Sequence, residues 1–141
     1  MNNSIILEAE YADIILTLLQ PPYSITSLTK LIFISFCSKY ETNTQFYANR
    51  SKDFVDVFMR NITLKLSSHY DDLETILHFI QMLEHTSVVT IEKNEIWLNQ
   101  PIPHQVENKF LDFCAKKVPN PILEIKKLDE KALIEEVIRY V

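Results

Sequence analysis

His78, His85, Cys37, Cys114 and a dispersed set of carboxylates are the residues of this chain whose types could do chemistry. His78 and His85 fall two turns apart on one helix face, whereas zinc ligands carried by a helix sit about one turn apart, at i and i+4. Glu74 with His78 supplies a single such pair, too few to hold a metal. A Cys–His nucleophile needs a thiolate, but both cysteines lie among Phe and Ile, where burial disfavours the charged form. They read as buried, reduced thiols. "YDDLE" and "IEE" put carboxylates at helix starts and on solvated faces, where they complement the helix dipole or interleave with lysines. The residues predict a non-enzyme with no catalytic residue, no cofactor and no metal site.

Composition closes off further chemistry. None of the 141 residues is glycine, where average usage would supply roughly ten. A phosphate-cradling P-loop, a dinucleotide fingerprint and a nucleophile elbow each need glycine where backbone approaches phosphate or turns sharply. The chain is 47% hydrophobic with a net charge of −5, a balance that fits one compact domain spanning residues 1–141 and disfavours a protein whose work is neutralising phosphate. Apolar residues recur periodically without a run long enough to span a bilayer. The opening "MNNSIILEAEYADIILTLL" has no basic leader and carries Glu8, Glu10 and Asp13. A soluble, cytoplasmic protein that makes no membrane contact is expected.

These residues must be positioned by helices. Leu7, Tyr11, Ile14, Ile15 and Leu18 recur at helical spacing over Ser4 to Gln20, and Pro21-Pro22 stops the run. A second helix follows from an N-cap at Ser24, apolar on nearly every side from Leu31 to Cys37. Glu41 to Asp53 reads as an exposed loop, and a third helix starts at Ser51 with Phe54, Val55, Phe58, Ile62 and Leu66 inward. Asp71 or Asp72 caps a fourth helix, with Leu73, Ile76, Leu77, Ile80 and Leu83 facing the core. In "SVVTIEKNEIWLNQ", Val89 and Ile91 pair with Leu98 and Ile96 across a Lys93-Asn94 turn in which Asn94 takes the left-handed backbone, leaving Thr90 opposite Trp97. A helix over 104–117 follows, then a short extended segment, an N-cap at Asp129 and a C-terminal helix over 129–141 with Leu133, Ile134, Val137 and Ile138. The fold class expected is mostly α with one β-hairpin, a winged-helix-like single domain.

A helix followed by a two-stranded wing is how many winged helices meet DNA, and both elements then carry Lys or Arg for phosphates and base edges. Between Lys65 and Lys93 this chain has neither, while Asp71, Asp72, Glu74, Glu84 and Glu92 are all negative. Little or no direct DNA binding is expected. A domain of this layout without a basic face suits protein docking. Trp97 is one candidate contact, since tryptophan is enriched at interface centres, and the alternative is packing on its own core. The last helix is the other, through Leu133, Val137 and Tyr140, again with core packing as the alternative.

Three stretches, "YSITSLTKLIFISFCSKY", "LETILHFIQMLEHTSVVTIEKNEIWLN" and "ILEIKKLDEKALIEEVIRYV", together resemble the small middle component of bacterial three-component ABC-ATPase systems, including the small subunit of Lamassu-type anti-phage defence. The resemblance runs in order over most of the chain except Glu41 to Asn49, and it carries no catalytic signature. It implies a non-catalytic accessory subunit that bridges an SMC/Rad50-like ABC ATPase and a nuclease-type effector and restrains the effector. A winged-helix transcriptional regulator or an antitoxin-like protein would share the layout.

Overall fold

The computed structural model of the chain describes residues 2–40, 68–102, 109–116 and 120–140. The expected loop from Glu41 and the helix from Ser51 through Leu66 lie outside the described residues. The described elements run α1 (Asn2–Leu19), α2 (Leu28–Tyr40), α3 (Asp71–His85), β1 (Val89–Glu92), β2 (Glu95–Leu98), α4 (Lys109–Lys116), α5 (Pro121–Lys126) and α6 (Glu130–Tyr140). The protein is mostly α with one antiparallel hairpin. An isolated antiparallel bridge from Ser27 to Glu95 places a short third strand position between α1 and α2. Among the described residues the order runs helix, bridge position, two helices and hairpin, with residues 41–67 falling between α2 and α3.

α1, α2 and α3 pack on one another, and α3 also meets β1. Tyr11, Ile14, Ile15 and Leu18 of α1 are buried as their spacing predicts, against Leu31, Ile34, Phe36 and Cys37 of α2. Residues on every side of α2 are buried, including Ser35, Ser38 and Lys30. On α3 the inward stripe is Asp72, Ile76, Phe79, Ile80 and Leu83. Leu77, expected inward, is instead 49% exposed. With Ile76 and Ile80 centred on the core, a residue one step beyond Ile76 is rotated about 100° away, and Phe79 fills the adjoining position.

Several caps differ from expectation. Neither Asp71 nor Asp72 is the N-cap of α3: that position is Tyr70, with helical φ −62°, and no side chain caps it. Asp72 is buried and accepts a 2.7 Å hydrogen bond from the Tyr11 hydroxyl, joining α3 to α1. Ser24 does not cap α2, because its φ of 45° turns the chain. The cap is Ser27, whose Oγ accepts from the Lys30 N–H at 3.2 Å. Residues 121–126, expected to be extended, form α5. Its sequence signal was present: Asn120 caps it, accepting from Ile122 N at 2.9 Å, with Pro121 in the first turn, where the missing N–H costs nothing.

The C-terminal elements are stitched to the helical core by polar contacts. Asn120 donates to the Tyr23 hydroxyl at 3.4 Å, and that hydroxyl donates to the Leu111 carbonyl of α4 at 3.5 Å. The Lys30 ammonium donates to the carbonyls of Lys126, at 2.7 Å, and Leu128, meeting the negative end of α5 from beneath α2. Leu111, Cys114, Ile122, Ile125 and Leu133 join the same buried cluster as the first three helices. No helix among the described residues is long and apolar enough to cross a membrane.

Candidate docking surface

The hairpin register is Val89 to Leu98, Thr90 to Trp97, Ile91 to Ile96 and Glu92 to Glu95, as the alternation of apolar residues dictates. The turn differs. Lys93 has φ 59°, and Asn94 is absent from the left-handed region. Asn94 serves through hydrogen bonding instead. Its carbonyl accepts from Leu28 N at 2.8 Å and its Oδ1 from Thr29 N at 3.2 Å and the Thr29 hydroxyl at 2.9 Å. With Ser27 taking Lys30 N, the otherwise unpaired N–H groups of the first turn of α2 are all satisfied, two of them by the hairpin turn. Asn94 Nδ2 and Ser27 Oγ both donate to the Glu130 carboxylate at the start of α6. The tip of the wing is thereby tied to α2 and α6, and the polar groups of Asn94 are committed within the protein.

The helix before the hairpin, α3, presents an acidic and apolar outer face. Tyr70, Glu74, Leu77, Gln81 and Glu84 follow one another at spacings of four and three residues, all exposed, on the side away from the core stripe. Tyr70 is 68% exposed and Leu77 49%. Asp71, His78, Met82 and His85 widen this face, all of them exposed. Among the described residues, no ion pair neutralises Asp71, Glu74 or Glu84. On the hairpin, Glu92, Lys93 and Glu95 are exposed, a single cation between two acids.

Of the contact residues expected from sequence, Trp97 is 38% exposed. With Leu19, Pro21, Ile25, Leu98 and Pro101 it walls a cleft of ≈ 340 Å³. One part of the indole thus rests on the domain and the rest faces solvent. Leu133 is 2% exposed and belongs to the core, so it offers no contact surface. A leucine three residues into α6 is drawn inward by the packing that buries Ile122 and Ile125. The side chains of Val137 and Tyr140 lie outside the described residues. α6 exposes Ile134 and Ile138, one turn apart, at 41% and 66%. Sequence reasoning overlooked Tyr70 and placed Leu77 on the wrong side; their spacing from Glu74 was the available signal.

Both cysteines are buried. Among the described residues no group of three His, Cys, Asp or Glu side chains is placed to hold a metal ion. No family model, no curated protein and no solved structure matches the chain.

Proposed function

We propose that this protein is a non-catalytic accessory subunit of a bacterial anti-phage defence complex of the Lamassu type, bridging an SMC/Rad50-like ABC ATPase and a nuclease-type effector and restraining the effector. One observation supports a docking role above the others: the helix before the hairpin bears exposed Glu74 and Glu84, without an ion-pair partner among the described residues, and has no Lys or Arg. A duplex carries about one negative charge per 1.7 Å of axis, so this face repels it. The wing tip that would reach the backbone is bound to α2 and α6 through Asn94. The particular complex rests on the sequence resemblance.

The test is affinity purification of the tagged full chain from its native host, read by mass spectrometry. Recovery of a large coiled-coil ATPase together with a nuclease-like subunit is the expected result. Recovery of the chain alone, or as a homodimer that retards its own promoter fragment in a gel, would replace this reading with a winged-helix transcriptional regulator.

A further inference from the structure

We infer that the outer face of α3 is the docking site for a basic amphipathic helix of a protein partner. The inference rests on the docking reading above and adds the chemistry of the partner. Tyr70, Glu74, Leu77, Gln81 and Glu84 make a stripe in which two large apolar side chains alternate with polar ones. A facing helix that fills the positions beside Tyr70 and Leu77 carries apolar residues at the same three- and four-residue spacing. What flanks those residues is set by charge. Glu74 and Glu84 lie on the stripe and Asp71 beside it, all exposed and, among the described residues, without an ion-pair partner. The helix itself supplies no lysine or arginine.

A partner with acids on its flanks would meet like charge, and a wholly apolar one would strand three carboxylates at the interface rim. A lysine- or arginine-flanked helix pairs them. The geometry also separates this occupant from nucleic acid: the charges that attract a basic helix repel phosphate. Leu77 contributes apolar contact, and the carboxylates set orientation and the rate of encounter.

The first experiment uses the full chain and a defined probe, a labelled synthetic helix of leucine and lysine at helical spacing, followed by fluorescence anisotropy. Glu74→Lys with Glu84→Lys should weaken binding roughly tenfold or more, and Leu77→Ser should weaken it several-fold. Glu8→Lys with Glu135→Lys makes the same change in net charge on α1 and α6 and should leave binding within about twofold. Far-UV circular dichroism and urea midpoints check that each variant is folded. Equal weakening by both charge reversals would mean attraction by net charge and would overturn the site, as would stronger binding of duplex DNA than of the probe.

The second experiment places a photo-cross-linking residue at Leu77 of the full chain in its host. A cross-link into a lysine- or arginine-rich helical segment of another protein is expected. A cross-link into an acidic segment, or into a second copy of this chain, overturns the inference. Stable partners that co-purify without any cross-link at Leu77, and that survive Glu74→Lys with Glu84→Lys, also overturn it while the docking reading stands. If no partner co-purifies, the docking reading itself fails.

Discussion

The two residues of the hairpin turn should respond oppositely to glycine. Asn94→Gly removes the acceptor for Thr29 N and Oγ1 and the donor to Glu130. A lost helix cap costs about 1 kcal/mol, a neutral hydrogen bond about 0.5–1.5 and a charge-assisted one about 1.5–3. All three are only partly buried and share one side chain, so the sum is sub-additive, about 2–3 kcal/mol. Lys93→Gly instead relieves a non-glycine residue at φ 59°, worth about 1–2 kcal/mol, against about 0.5–1 for the added freedom of the unfolded chain. Its net effect should fall between neutral and about 1.5 kcal/mol stabilising. Urea unfolding followed by far-UV circular dichroism measures both. Trp97, the sole tryptophan, lies on β2 and reports on the hairpin in the same samples. If Asn94 mattered only because asparagine tolerates a left-handed turn, its glycine variant would be harmless. A loss below about 1 kcal/mol for Asn94→Gly, or a larger loss for Lys93→Gly, would refute the tie between the wing and α2.

Two further perturbations follow from buried polar groups. Burial raises the Tyr23 phenol above its ordinary value, opposed by the hydrogen bond from Asn120 and reinforced by Cys114 and Asp112. The unfolded phenol therefore ionises first, near pH 10, so the unfolded state holds fewer protons there. The contribution is complete below that pH and is lost as pH rises through the folded value. Urea midpoints from about pH 8 to 11 should fall less steeply for Tyr23→Phe than for the wild type. Ser35, 0% exposed on α2, has a hydroxyl with no hydrogen-bond partner among the described residues. Ser35→Ala should raise stability by about 1 kcal/mol through relief of the orphaned group and better helix propensity, read as a higher urea midpoint.

Local periodicity makes much of the fold legible in the sequence. The α1 stripe, the enclosure of α2 and every pairing in the hairpin follow from residue spacing, since burial on one side forces a period of 3.6 or 2. The caps were less readable. Ser24 and Ser27 are both good cap residues, and what selects Ser27 is its strand bridge to Glu95, a partner distant in sequence. Asp72 looked like a cap because aspartate favours helix starts. The Tyr11 hydroxyl, from another helix, holds it in the core instead. α5 was missed because a helix this short has little periodicity, although Asn120-Pro121 is itself a start signal.

The proposed docking face was legible in charge and illegible in shape. Counting Lys and Arg along α3 and β1 was enough to set the sign of the surface, because charged side chains at these positions stay in water wherever the backbone goes. Placing Leu77 required the phase of the helix, and the run Ile76-Leu77 permits two phases that differ by about 100°. Phe79 decides between them by burying its ring at 5% exposure, which turns Leu77 outward beside Glu74. The same ambiguity placed Leu133 and Ile134 together on α6, where the core takes the first and leaves the second at the surface. At adjacent apolar residues on a helix, composition says that one will be buried. Only the neighbouring elements say which one remains to meet a partner.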